Sequence, residues 1–184
     1  MPDQLVNKLV WIDLEMTGLS IKQDKILEIA CIITDQNLAI VDQAPNLVIA
    51  QPEPILHQMN AWNMMHHTQS GLLEKVRHST TTIEQAEQTL LAFIKNHCKP
   101  QEAPLCGNSV WVDRMFLQTF MPMLEKYLYY RTIDVSTIKL LAQGWFNINT
   151  SVMLNKQNKH QALDDIKESI AELNWYRKTI FKQD

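Results

Sequence analysis

The chain has 184 residues, 46% of them hydrophobic and 20% charged, which is enough for one ordinary globular core at roughly 100–200 residues per domain. Lys and Arg number 17 against 20 Asp and Glu, a formal net charge of −3. That balance excludes a protein coating long DNA or RNA through many basic contacts, and it leaves room for a short nucleic acid held by a few.

Lys8 to Glu15, KLVWIDLE, is apolar and β-branched and predicts a strand ending near Thr17-Gly18. Ile26 to Thr34, ILEIACIIT, is a near-continuous apolar run and predicts a buried strand. Leu38 to Ala50 is a looser third strand, interrupted by Pro45, and the short spacing predicts an antiparallel meander. Thr81 and Glu84 have capping-box spacing ahead of Ile83, Ala86, Leu90, Leu91 and Ile94 at helical intervals, with Pro100 beyond the end. Leu105-Cys106 is a short strand before Gly107-Asn108, and Val112, Phe116, Leu117 and Phe120 form a helical stripe. Thr132 to Asp134 predicts a last strand, followed by a helix from Ser136 to Ala142. Trp145 to Lys159, rich in Asn and Lys, reads as a loop, and Ala162, Ile166, Ile170, Leu173 and Tyr176 mark a long C-terminal helix. Strands first, then helices with single strands between them, give an α/β fold: one domain over 1–184, a mixed sheet flanked by helices.

No apolar run reaches the ~20 residues of a membrane span. The opening MPDQLVNKLVWID has no signal-peptide character. Cys31, Cys98 and Cys106 form no CxxC pair, which points to three reduced thiols and a cytoplasmic location. No GxGxxG or P-loop is present.

Most acids, among them Glu84, Glu87, Glu168 and Glu172, fall on polar helix faces. Four fall where burial is expected. Asp13 and Glu15 alternate with Ile12 and Leu14, so both carboxylates project from one strand face and repel each other unless a cation or proton intervenes. Asp113 precedes Phe116 by three residues and Leu117 by four, in a first helical turn, where it serves either the helix dipole or a site. In HQALDDI, with Ile166 in the apolar stripe and about 100° per residue, Asp165 lies on the flank of the buried face and Asp164 nearly opposite. His160 meets Asp165 only from the start of that helix or the loop before it.

D-x-E on a strand, an Asp on a mid-chain helix and H-x-x-x-x-D late in the chain resemble the DEDDh group of 3′→5′ exonucleases. WIDLEMTGL, KILEIA, GNSVWVDRMF, DVSTIKLLA and KHQALDDIKESI, in that order from about Leu9 to Tyr176, closely resemble the oligoribonuclease family. The resemblance implies a ribonuclease H-like fold and a metal-dependent 3′→5′ exoribonuclease of very short single-stranded RNA, dinucleotides above all. Asp13, Glu15, Asp113 and Asp165 would hold two divalent cations, Mg²⁺ or Mn²⁺, and His160 would be the general base. Leu19 would wedge against the terminal bases and Trp62 would stack on them; read alone, these are an exposed leucine and a core tryptophan. His67 falls on the histidine of the family's W-N-x-x-x-H pattern. Its neighbour His66 makes an H-H pair, but no cysteine or third histidine stands near enough to suggest a transition-metal site. Ser109 follows the strand end at Gly107-Asn108, and its hydroxyl can serve either the helix or a phosphate. Tyr130, Arg131, Ser136 and Thr137 match the region that, in the family, closes over the substrate's 5′ phosphate from the partner subunit of a homodimer. Ser109 and Ser136 read equally well as helix N-caps. Trp145, Phe146 and Tyr129 are apolar candidates for the dimer surface. Asn158 stands where the family often has glycine, and WFNINTSVMLN departs from its pattern. Other DEDDh enzymes, a proofreading subunit or a tRNA-trimming nuclease, and an inactive binding module on the same fold are the alternatives; all five residues of the DEDDh set are present.

Overall fold

A computed structural model describes residues 7–148 and 162–181. Its first strand, β1 (Lys8–Met16), pairs antiparallel with β2 (Ile26–Asp35) in a register that sets Asp13 opposite Ala30 and Glu15 opposite Glu28. The looser third strand is two short ones, β3 (Ile40–Gln43) and β4 (Leu47–Val48), both antiparallel to β2 and separated at Pro45, which has no N–H to give to a ladder. After the helices α1 (Glu53–Leu56), α2 (Ala61–Gln69), α3 (Leu72–His78) and α4 (Ile83–Lys95), β5 (Pro104–Gly107) returns parallel to β1. Two further helices, α5 (Trp111–Phe120) and α6 (Pro122–Tyr127), lead to β6 (Tyr129–Asp134), parallel to β5, and then to α7 (Val135–Phe146) and α8 (Ala162–Thr179). The mixed sheet runs β3-β2-β1-β5-β6, with β4 also on β2.

Alternation along the two central strands splits the core. Val10, Ile12 and Leu14 of β1 and Ile29, Cys31 and Ile33 of β2 pack with Leu90 and Ile94 of α4 and with Phe116 and Leu117 of α5. Leu9 and Trp11 of β1 and Ala30 and Ile32 of β2 face the other way, against Val135 and Ala142 of α7 and Ala162, Ile166 and Ile170 of α8. Asp13 and Glu15 continue the Leu9–Trp11 row, and Glu28 continues the Ala30–Ile32 row. All three carboxylates therefore stand on the α8 face of the sheet.

Several local expectations shift. The capping box of α4 is Thr82 with Gln85, one residue beyond the predicted Thr81 and Glu84. Ser109 is no N-cap: its φ of 50° is left-handed, and α5 is capped by Val110. Ser136 is not the cap of α7 either, because Asp134 accepts its N–H. Trp145 and Phe146 extend α7 rather than opening a loop, and α7 ends on the left-handed Asn147. The rest of that segment beyond Ile148, including Asn158, and the predicted base His160 lie outside the described residues.

Candidate active site

β5 pairs with β1 only at Val10 and Trp11. Beyond Trp11 the β5 side of β1 is open, at the carboxyl ends of two parallel strands, where open α/β sheets place their ligands. Asp113 enters that opening from the first turn of α5. It is 7% exposed, and its Oδ1 accepts the Leu14 N–H (3.1 Å). From the opposite layer α8 brings Asp165. Asp13, Glu15 and Asp165 each offer a carboxylate oxygen within 4.8 Å of the others. Asp164 is half-buried rather than solvated and lies outside that cluster.

Burial dominates the electrostatics. Desolvation, then Asp113, Asp165, Glu15 and Glu28, hold the Asp13 carboxyl well above its ordinary range. Desolvation, followed by the charges of Asp165, Glu28 and Asp113, pushes Glu15 up to about 8. Asp113 is pushed up to about 7, again first by desolvation, with its backbone hydrogen bonds acting the other way. Hard oxygen donors crowded at this cost fit divalent Mg²⁺ or Mn²⁺.

The turn after β1 presents the apolar contacts. Asp24 accepts from Thr17 Oγ1 and from Ser20 N–H, both at 2.8 Å. A Cβ on Gly18 would lie 2.5 Å from Asp24 Oδ2, so a side chain there would displace the carboxylate that ties this turn. Leu19, the next residue, is 72% exposed. Asn63 Nδ2 donates to Thr17 O (2.7 Å), which docks α2 on the same turn and brings Trp62 beside it. Trp62 is 58% exposed and thus no core residue, and the His66 ring stands 3.8 Å from it. His67 is buried: its Nε2 is 2.9 Å from Met16 O and its Nδ1 is 3.9 Å from Glu15 Oε2. The structure therefore places His67 behind Glu15 rather than on the surface.

At the ends of β5 and β6 the Ser109 N–H donates to Asp134 Oδ1 and to Ser136 Oγ, both at 3.0 Å. Ser136 Oγ donates to Asn108 Oδ1 (3.1 Å). Asn108 Nδ2 then reaches Ser169 Oγ (2.8 Å) and Glu172 Oε2 (3.2 Å). Glu172 is 3% exposed and also accepts from Tyr176 Oη (2.9 Å). This overturns its expected place on a polar helix face, since hydrogen-bond donors replace water around it. Thr137 is exposed in the first turn of α7. Tyr130 and Arg131 are exposed on the edge strand β6, the guanidinium 5.3 Å over the Tyr130 ring. Arg114 holds the start of that strand by donating to Tyr129 O (3.2 Å) and Tyr130 O (2.8 Å) while pairing with Glu125 (2.9 Å). Glu28, Asn108, Asn63 and Arg114 escaped the sequence reading; only Glu28 carried a signal, an acid inside an otherwise apolar strand.

A family model described as "RNase_T: Exonuclease" matches residues 10–173. The chain is 48% identical over 177 residues to the oligoribonuclease of Francisella tularensis, covering 96% of this chain and 98% of that one. It is 46% identical over 181 residues to the mitochondrial oligoribonuclease of Bos taurus, covering 98% and 76%. The chain belongs to the oligoribonuclease family of exonucleases. The fold agrees: the zinc-bound complex of E. coli exonuclease I with single-stranded DNA superposes with a TM-score of 0.69 at 14% identity, over 95% of this chain. The chain spans about two fifths of the length of that neighbour (41%). In this chain the D-x-E strand and α8 bring Asp13, Glu15 and Asp165 together, and Asp113 of α5 is bound to the same strand at Leu14. Among the described residues no helix is long and apolar enough to cross a membrane.

Proposed function

We propose that this chain, as one exonuclease domain over 1–184, is a metal-dependent 3′→5′ exoribonuclease of very short single-stranded RNA, dinucleotides above all. The observation that carries the reading is the convergence of Asp13, Glu15 and Asp165 within 4.8 Å, with Asp113 buried beside them, next to an exposed Leu19 and Trp62. Asp13, Glu15, Asp113 and Asp165 would hold Mg²⁺ or Mn²⁺. Such ions, when bound, stabilise the charge that develops on the attacking and leaving oxygens.

The chain's own groups do the rest. Leu19 wedges and Trp62 stacks at the terminal bases, which tolerates any sequence. His67 backs Glu15. The Ser109 hydroxyl serves a phosphate, and Tyr130, Arg131, Ser136 and Thr137 close over the substrate's 5′ phosphate from the partner subunit of a homodimer; guanidinium grips phosphate bidentately. Trp145 and Phe146, both exposed, are apolar surface for that dimer, whereas Tyr129 is half-buried against Tyr130. His160 takes the proton of the attacking water. Water adds at phosphorus, the P–O3′ bond breaks, and the departing O3′ takes up a proton from solvent, balancing the one held by His160. The products are a nucleoside 5′-monophosphate and an RNA shortened by one residue with a free 3′ hydroxyl. The three cysteines, all free and buried, support a reducing cytoplasmic setting.

The test is a digestion series on 5′-labelled RNA of two to about ten nucleotides, with and without Mg²⁺, beside Asp113→Ala and His160→Ala. Dinucleotides should be consumed fastest and only with metal. Asp113→Ala should be inactive, and His160→Ala slow while it still binds Mn²⁺. Faster attack on long duplex ends overturns the substrate reading, and an unchanged rate in His160→Ala removes the base.

A further inference from the structure

Glu28 is 2% exposed, in the middle of the sheet, and directly opposite Glu15 in the β1–β2 register. A fifth carboxylate in this crowd raises the cost of charging its neighbours, so its retention calls for a reason. Both of its oxygens are engaged. Oε1 accepts from Asn46 Nδ2 (2.9 Å), in the segment joining β3 to β4. Oε2 accepts the backbone N–H of Ala162 (3.3 Å), the first residue of α8 and 134 positions away in sequence. The first N–H groups of a helix have no partner within it, and a carboxylate there also meets the positive end of the helix dipole.

The placement has a geometric consequence. Asp165 follows Ala162 by three residues. On an α-helix that is about 4.5 Å along the axis and about 60° short of a full turn. A contact at the Ala162 amide therefore fixes both the advance and the rotation of α8 one turn before its ligand. We propose that Glu28 is a positioning residue for the metal centre: it locks the start of α8 to the sheet and so holds Asp165 against Asp13 and Glu15. Its oxygens face N–H donors, so it is an anchor and not a further metal ligand. This rests on the metal reading of the cluster given above.

Two substitutions separate anchor from charge. Glu28→Leu places an apolar group in the Ala30–Ile32 row and leaves the Ala162 N–H without its acceptor. Exchange of a buried acid for an apolar residue need not weaken the fold. Glu28→Gln keeps an acceptor for Ala162, and its amide pairs with Asn46 once that side chain flips, since asparagine offers either a donor or an acceptor. Mn²⁺ affinity is measured by titration calorimetry on the full chain, with urea unfolding in EDTA and amide exchange at the start of α8 alongside. Glu28→Leu should weaken Mn²⁺ binding about ten- to hundredfold, the range for residues that orient metal ligands. It should also speed exchange at Ala162 without lowering the urea midpoint. Glu28→Gln should recover most of the affinity and the slow exchange. Asn46→Ala, at an exposed position, should fall between wild type and Glu28→Leu. The proposal is overturned if Glu28→Leu binds Mn²⁺ like wild type, if Glu28→Gln is as impaired as Glu28→Leu, or if lost affinity only follows lost stability. A wild-type chain that does not bind Mn²⁺ sinks the metal reading instead.

Discussion

Without metal, the fold should lose stability as the pH rises from 5 to 8. Glu15 is pushed from an ordinary 4.5 up to about 8 by burial and by the charges of Asp165, Glu28 and Asp113. A carboxyl whose folded pKa lies above its unfolded one holds its proton better in the native state. Between those two values the folded chain binds more protons than the unfolded one, so stability is full at the acidic end and is lost as the pH passes through the folded value. At about 1.4 kcal/mol per tenfold, the span from pH 5 to pH 8 is worth at most about 3.5 kcal/mol, and discounted for solvent at a side chain 15% exposed Glu15 accounts for roughly 2–3 kcal/mol. Asp113, pushed up to about 7, shares the same field and adds only part of its own share. With a urea slope of about 2–3 kcal/mol per M, the midpoint in EDTA should fall by roughly 1–2 M between pH 5 and pH 8. Millimolar Mn²⁺ should restore it at pH 8 and do little at pH 5, where protons hold the ligands. Glu15→Gln in EDTA should flatten this profile and be the more stable protein at pH 8. A wild-type midpoint that stays constant or rises from pH 5 to pH 8 in EDTA refutes the reasoning.

Trp62→Ala should leave the fold intact, because the ring is mostly exposed, and should raise KM for a dinucleotide about five- to hundredfold, the worth of one base stack at roughly 1–3 kcal/mol. Steady-state kinetics with an unmoved KM would remove the stacking role. Asn108→Ala cuts the link between Ser136 and the buried Glu172. It should cost about 1–3 kcal/mol in urea unfolding and should narrow the preference for a 5′-phosphorylated dinucleotide over its unphosphorylated form. An unchanged preference would detach that network from phosphate recognition.

The sequence reading and the structure agree where one physical rule dominates. The strands at Lys8 and Ile26 are continuous apolar runs, and the face shared by Asp13 and Glu15 follows from strand alternation alone. Asp113 lay on the apolar side of its helix in the sequence and is buried in the structure. The short helices α1, α2, α3 and α6 were not expected: with four to nine residues each, they carry too few turns for a periodic stripe, and α2 is held instead by contacts such as Asn63 on Thr17. Ser109 and Ser136 each sat where a cap was plausible; Ser109 is left-handed and leaves the cap of α5 to Val110, whereas Asp134 caps α7 and accepts the Ser136 N–H.

The acids show why sequence could take the site only so far. Glu172 looked solvated from its place among polar neighbours, yet Asn108 and Tyr176 bring donors to it from another loop and from the next turn of its own helix. Glu28 stands inside an otherwise apolar strand, and its partners, Asn46 and the Ala162 amide, lie 18 and 134 positions away. Periodicity reports which face a side chain takes, whereas a buried carboxylate is decided by what meets it there. The same distinction applies to the formal charge of −3. Spread over a surface it would repel phosphate. With Asp13, Glu15, Asp113 and Asp165 gathered at the open end of β1 and Glu28 bracing α8, the surrounding acids raise the cost of ionising Asp13 and Glu15. Divalent cations would offset that cost and bring the four-acid site from −4 to about neutral, which would let a mildly acidic chain accept phosphate there.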